Sequence, residues 1–261
     1  KKCCAKSIIA MTKTILITGA TAGFGMATAE HFAAAGWNCI ITGRRADRLS
    51  ELALGLTNKY PVQIHTLCFD VQNRAEVFTA INSLPAEWQS IDVLLNNAGL
   101  ALGRDSFDQA NLDDWDTMID TNVKGLMYVT KAVLPFMIAQ KKGHIINIGS
   151  TAGKEVYKDG NGYCASKHAV DAISKAMRID LLPHQIKVTA IHPGAAETEF
   201  SLVRFKGDDQ KANAVYEGYK ALEAKDIAEI VFYVSTLPAH VCINDLVVTC
   251  LSQANSFYLH K

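Results

Sequence analysis

From residue 14 onward, short apolar runs alternate with stretches in which apolar residues recur at helical spacing. The runs lie at 14–18, 38–42, 62–69, 91–95, 144–148, 187–191 and 243–249. They are rich in Val, Ile and Leu and show little polar alternation, as expected of strands covered by helices on both faces. Between them the helical pattern occupies 28–35, stopping at Gly36, then 46–56, 74–84, 112–139 and 163–182. Strand, helix and strand repeated without a linker predicts an α/β fold. The expectation is a single doubly wound domain over 11–261, with a seven-stranded parallel sheet, helices on both faces and right-handed crossovers. The least regular stretch, 193–221, separates the sixth run from a late helix. Its portion near 195–221 reads as a lid or binding loop.

Residues 1–10 break this pattern. They precede Met11 and lack the apolar stretch and cleavage site of a secretory signal. They read as a leader, a tag or a mis-set start, outside the fold. The 26 basic and 26 acidic residues balance, which gives no reason to expect a nucleic-acid or membrane partner. No apolar run reaches the roughly 18 residues of a membrane helix. The seven cysteines follow no metal-ligand spacing, and their odd, dispersed count predicts reduced thiols in a cytoplasmic protein.

Candidate chemistry begins after the first run, where Gly19-Ala20-Thr21-Ala22-Gly23-Phe24-Gly25 leads into a helix. Glycines there permit a tight turn and close approach of the backbone to a pyrophosphate, which the helix N-terminus attracts. The spacing is G-x-x-x-G-x-G rather than the commoner G-x-G-x-x-G, so the strand-to-helix context carries the reading. The second run ends in Gly43-Arg44-Arg45, where NAD-selective sites place an acid for the ribose hydroxyl. Two guanidiniums instead suit a 2′-phosphate, which favours NADP.

A second cluster lies later in the chain. Tyr163 and Lys167 are four residues apart and share a helix face. An ammonium near the phenol would lower its pKa and let it shuttle a proton. Ser150 follows the fifth run, at the strand end where open α/β sheets bind ligands, and its hydroxyl would hydrogen-bond a substrate oxygen. Asn96-Asn97-Ala98-Gly99 ends the fourth run and offers small residues and amides for a ribose. Asn122 lies inside the long helix that follows, either satisfying a local bond or holding an ordered water.

Together Gly19, Gly23, Gly25, the Asn96-Asn97-Ala98-Gly99 segment, Asn122, Ser150, Tyr163-x-x-x-Lys167 and Pro193-Gly194 resemble the short-chain dehydrogenase/reductases along 14–248. The resemblance implies a Rossmann domain and a tetrad. Tyr163 would be the acid/base, Ser150 the substrate-orienting group, and Lys167 the ribose ligand that lowers the tyrosine pKa. Asn122 would hold a water linking Lys167 to solvent. It also implies that Asp70 and Val71 flank the adenine, Asn97 meets a ribose, and Pro193, Gly194 and Thr198 enclose the nicotinamide. Within the family, segments 97–103, 149–153, 198–209 and 235–241 look like the NADP-dependent 3-hydroxy acid dehydrogenases. That implies action on serine, allo-threonine or 3-hydroxyisobutyrate, reduction of malonic semialdehyde, and a homotetramer. Lys154-Glu155-Val156 and Ala195-Ala196-Glu197 depart from that pattern beside the expected substrate.

For the substrate carboxylate the sequence suggests Arg204 or, failing that, Lys206, both in the predicted lid. Cys164 points away from Tyr163 on the helix. His192 is expected to present its backbone rather than its ring, and no metal is expected, because the remaining histidines lack acidic or cysteine partners at ligand spacing. Trp37, Trp88 and Trp115 read as packing or surface residues. Two other readings stay open: a broad carbonyl or 3-ketoacyl reductase on the same scaffold, and a non-catalytic NADP-sensing protein.

Overall fold

The computed structural model describes residues 12–261, so the leader at 1–10 lies outside the described residues. Its strands are β1 (Thr14–Ile17), β2 (Asn38–Gly43), β3 (Ile64–Cys68), β4 (Val93–Asn96), β5 (Gly143–Ile148), β6 (Ile186–Pro193), β7 (Ala196–Glu197), β8 (Leu222–Glu223) and β9 (Asp245–Val248). The helices are α1 (Gly23–Ala34), α2 (Ala46–Lys59), α3 (Arg74–Asn82), α4 (Leu112–Ile119), α5 (Leu126–Gln140), α6 (Asn161–Asp180), α7 (Glu199–Arg204), α8 (Asp209–Ala214) and α9 (Ala224–Thr236).

Seven strands form one sheet in the order β3-β2-β1-β4-β5-β6-β9, every pair parallel. The order reverses at β1, which lies between β2 and β4. Ligands of such sheets bind in the crevice this reversal opens at the carboxyl ends. Alternation along each strand divides the core between two faces. Ile15 and Ile17 join Phe32, Trp37 and Ile41 under α1 and α9, while Leu16 joins Ile40, Val129 and Met137 on the other face. Each such fully buried side chain contributes about 1.5–3 kcal/mol.

Two regions differ from the sequence reading. The expected helix 112–139 is three pieces, with a π-helical turn, Asp120–Gly125, between α4 and α5. A widened turn leaves the hydrophobic period almost unchanged, so spacing does not reveal it; such turns recur at functional sites. Gly125 passes so close to Val71 that a Cβ would meet its Cγ2 at 2.8 Å. The expected irregular lid is instead ordered into α7, α8 and a ribbon in which β7 pairs with β8.

The catalytic-end helices are held to the sheet by a buried polar ladder. Asn96 Nδ2 donates to Thr130 Oγ1 at 2.8 Å and to Asn147 Oδ1 at 2.9 Å. Asn147 Nδ2 in turn donates to Ser174 Oγ at 2.9 Å. This ties β4 and β5 to α5 and α6. Asn147→Ala takes one buried hydrogen bond from each neighbour, leaving Asn96 its bond to Thr130 and Ser174 its bond to the Val170 carbonyl, and its urea unfolding is expected to show a loss of about 1–3 kcal/mol.

Candidate active site

At the carboxyl ends of the sheet a cavity of about 770 Å³ runs from the β1–α1 turn to the β5 and β6 ends. Thr18 Oγ1 accepts the N–H groups of Asn97 and Ala98, both at 2.9 Å. Asn97 Nδ2 returns a bond to the Thr18 carbonyl at 2.9 Å. These bonds lock the first turn against the end of β4. Gly19 takes φ +65°, and a Cβ on Gly25 would lie 2.3 Å from the Gly19 carbonyl oxygen. Only glycine fits there. Gly25 therefore packs helix against strand behind the wall, while Gly19, Thr21, Ala22, Gly23 and Phe24 line the cavity. Ala22 caps α1 without a side-chain bond, so the first-turn N–H groups remain available to a phosphate.

The end of β2 carries Gly43 and no acid. Arg45 donates to Thr21 Oγ1 at 2.9 Å, and Arg44 lies 3.5 Å from Asp70. Asp70 and Val71 line the cavity beside them, as do Asn97, Ala98 and Gly99 farther along. The glycine cradle, the uncapped helix and the two guanidiniums fit a dinucleotide bearing a 2′-phosphate. The sequence reading missed Glu199, the first residue of α7, which meets Arg48 at 3.3 Å and Arg45 at 3.9 Å. Nothing local signals a contact over that sequence separation.

Tyr163 and Lys167 both project from α6 into the cavity, opposite Ser150, with Pro193, Gly194 and Thr198 along the adjoining wall. Ser150 Oγ accepts from the Ala152 N–H at 3.1 Å, which leaves its own proton free to donate. Lys167 Nζ donates to the Ile148 carbonyl at 2.9 Å. Burial lowers the Lys167 pKa to about 8. Burial also pushes the Tyr163 phenol above its ordinary value, aided by Tyr157 and opposed by a hydrogen bond with Ser150 and by the Arg204 charge. The lowered tyrosine pKa expected from Lys167 is thus overturned here: desolvation of the phenol outweighs every favourable contact. Both groups are pushed toward their neutral forms.

Asn122 sits in the π-helical turn behind the wall. Its Oδ1 accepts from the Leu100 N–H at 2.8 Å, and its Nδ2 donates to the Leu100 carbonyl at 2.8 Å and to Ser166 Oγ at 3.0 Å. The amide clamps the segment after Gly99 to α6.

The two lid cations separate. Arg204, at the end of α7, lines the cavity with its guanidinium 5.6 Å from the Tyr163 ring centre. It donates to Tyr157 Oη at 3.0 Å and to the Gly103 carbonyl at 3.3 Å, and among the described residues it has no acidic partner. Lys206 instead pairs with Asp114 at 2.8 Å and takes no part in the cavity wall. Arg104 and Tyr157, which the sequence did not suggest, also line it, with the Arg104 guanidinium 5.9 Å from the Tyr157 ring centre.

The His192 ring meets acids that the sequence did not suggest: Asp171 and Asp245 come within 3.6 and 3.5 Å of Nε2. They arrive from α6 and β9, far away in sequence. Lys154 Nζ lies 2.7 Å from Asp171 and 2.6 Å from Asp245, supplying the positive charge that the two carboxylates require.

Comparison with known proteins agrees with this geometry. The sequence profile described as short chain dehydrogenase matches residues 13–208. The NADP-dependent 3-hydroxy acid dehydrogenase of Escherichia coli strain K12 is 51% identical over 242 residues, 92% of this chain and 96% of that protein. Sulfoacetaldehyde reductase 2 of Chromohalobacter salexigens is 46% identical over 249 residues, 95% of this chain and 98% of that protein. A closed form of serine dehydrogenase complexed with NADP+ superposes with a TM-score of 0.88 at 49% identity, covering 95% of this chain and 99% of that one. The chain belongs to the short-chain dehydrogenase family.

Proposed function

We propose that the protein is an NADP-dependent 3-hydroxy acid dehydrogenase, acting on small acids such as serine, allo-threonine or 3-hydroxyisobutyrate and reducing malonic semialdehyde in the reverse direction. The observation that carries this reading is Arg204. An arginine without an acidic partner among the described residues, 5.6 Å from the Tyr163 ring, suits a substrate whose anion lies a short chain away from its reacting oxygen. The relatives named for 3-hydroxy acid and serine dehydrogenation support the same reading. The assembly is taken to be a cytoplasmic homotetramer, on the family resemblance alone. Among the described residues no helix is long and apolar enough to cross a membrane.

Bound NADP would exchange hydride with the carbinol carbon of the substrate. Thr21, Arg44 and Arg45 would hold its 2′-phosphate, the start of α1 its pyrophosphate, Asn97 a ribose, and Pro193, Gly194 and Thr198 its nicotinamide end. Ser150 donates its free proton to the substrate oxygen and fixes that oxygen beside Tyr163. Tyr163 accepts the hydroxyl proton in oxidation and returns it in reduction. Lys167, also a ribose ligand, places positive charge behind the phenol whenever it is protonated. Asn122 fixes the Leu100 backbone and α6, which keeps these groups in register.

A second reading is favoured by the same arginine. A guanidinium holds a sulfonate as readily as a carboxylate, and relatives of comparable identity are named sulfoacetaldehyde reductases. Sulfoacetaldehyde is therefore the competing carbonyl substrate.

Initial rates with NADP and NAD on serine, allo-threonine, 3-hydroxyisobutyrate and sulfoacetaldehyde separate the readings. NADP-dependent turnover of the hydroxy acids, lost in Tyr163→Phe, is expected; turnover of neutral ketones alone sinks both anion readings. Arg204→Ala should raise KM for the acid by about 10- to 100-fold, the loss of one charged hydrogen-bonded contact, while KM for NADP stays within about twofold.

The raised phenol pKa sets the pH response. Oxidation needs the tyrosine anion and reduction needs the phenol, so kcat/KM for oxidation should climb through alkaline pH while that for reduction stays level until the raised phenol pKa is reached.

Lys167 makes a stability prediction as well. Its folded pKa of about 8 lies below the ordinary lysine value, so the folded state binds fewer protons between the two. The penalty is full below pH 8 and is relieved as pH rises. Lys167→Met should gain about 1–3 kcal/mol in urea unfolding at pH 7 and lose turnover. A less stable variant would show that the ammonium is not under strain.

A further inference from the structure

Beneath the Ser150 turn lies a buried ionic cluster that the chemistry above does not use. His192, on β6, is fully buried. It packs so closely under Gly149 that a Cβ there would fall 2.4 Å from Nδ1. Nδ1 lies 3.3 Å from the Ser150 carbonyl oxygen. That oxygen can only accept, so Nδ1 carries a proton. Nε2 then faces Asp171 at 3.6 Å and Asp245 at 3.5 Å, and it has no hydrogen-bond partner. In a neutral ring its lone pair points at two carboxylates; in an imidazolium both edges donate.

The charged groups around the ring come from three directions. Lys154 follows the Ser150 turn and bridges both carboxylates. Asp171 lies on α6, where Lys175 also holds it at 2.7 Å. Asp245 opens β9. Burial and the Lys154 charge depress the His192 pKa, while Asp245 and Asp171 raise it. The ring is thus held between a cation that keeps it neutral and two acids that would charge it.

We propose that His192 is a positioning residue for Ser150. Its Nδ1–H anchors the Ser150 backbone, and the contest between Lys154 and the two acids for the opposite edge sets how strongly it does so. The proposal rests on Ser150 as the substrate-orienting group and adds a buried side chain that controls its placement, with a pH response of its own.

The test is steady-state kinetics across pH on the full-length protein, with whichever substrate the wild type turns over, so that failure of the hydroxy-acid reading leaves it intact. His192→Leu removes the donor and should lower kcat/KM by about 3- to 10-fold, the weight of one hydrogen bond, with KM for NADP unchanged. His192→Asn places an amide N–H near the Nδ1 position and should recover most of that loss. Lys154→Met removes the opposing cation and should move the His192 ionisation seen in the pH profile of kcat/KM upward by about one pH unit. That shift should vanish in Lys154→Met combined with His192→Asn. Equal losses in the Leu and Asn variants, or a pH profile unmoved by Lys154→Met, would overturn the proposal. The Lys154 arm decides it alone if His192→Leu does not fold.

Discussion

The architecture of the site depends on a cation placed where little water reaches it. Lys167 is buried with no carboxylate at hand among the described residues, and its ammonium is satisfied at the Ile148 carbonyl, the last residue of β5. Desolvating a charge is costly, and one backbone carbonyl returns only part of that cost. The cost is carried because the contact joins α6 to the carboxyl edge of the sheet. Gly153 packs directly on the Lys167 backbone, where a Cβ would come within 2.5 Å of its carbonyl oxygen, and Asn122 reaches Ser166 from the π-helical turn. Ser150, Tyr163 and the segment after Gly99 take their positions from that junction. A well-folded domain tolerates such local strain at a functional site because packing elsewhere over-determines the geometry.

The site is divided between the sheet ends and an element that lies across its opening. The sheet ends and α6 hold the reacting groups, and the sheet core beneath them is filled from both faces. Across the opening lies α7, a short helix that touches both ends of the cavity. Its first residue, Glu199, meets Arg45 and Arg48 at the 2′-phosphate end. Its last residue, Arg204, meets Tyr157 and Gly103 beside Tyr163. One element therefore contacts Arg45 and Arg48 at one end of the cavity and presents Arg204 at the other. Binding groups on many folds sit on such loop-borne elements, held by a rigid scaffold beneath them.

Much of this was legible in the residues. Buried parallel strands must be continuous apolar runs, so the five inner strands of the large sheet could be read from composition and length, and the partly exposed edge strands β3 and β9 from their aliphatic content and their place between helices. The glycine turn was legible because no residue with a Cβ fits at Gly25, and the dinucleotide type because Arg44 and Arg45 stand where an acid would otherwise be. The π-helical turn around Asn122 was not, since one widened turn barely disturbs a helical period. Neither was the order within the lid, whose short helices carry too few positions to show periodicity.

What the chain determined by itself was therefore everything that depends on neighbours in sequence: strand and helix order, the phosphate turn, and Tyr163 and Lys167 on one helix face. What only the tertiary structure decided was which distant side chains meet and which groups lose water. Lys206 goes to Asp114 and Arg204 to the cavity, a choice fixed by where α7 ends. His192 meets Asp171 and Asp245 because β6 lies between α6 and β9 in space. The raised tyrosine and lowered lysine pKa values have the same origin, because the free energy of a charge depends on the solvent it has lost, and that loss exists only once the chain has folded.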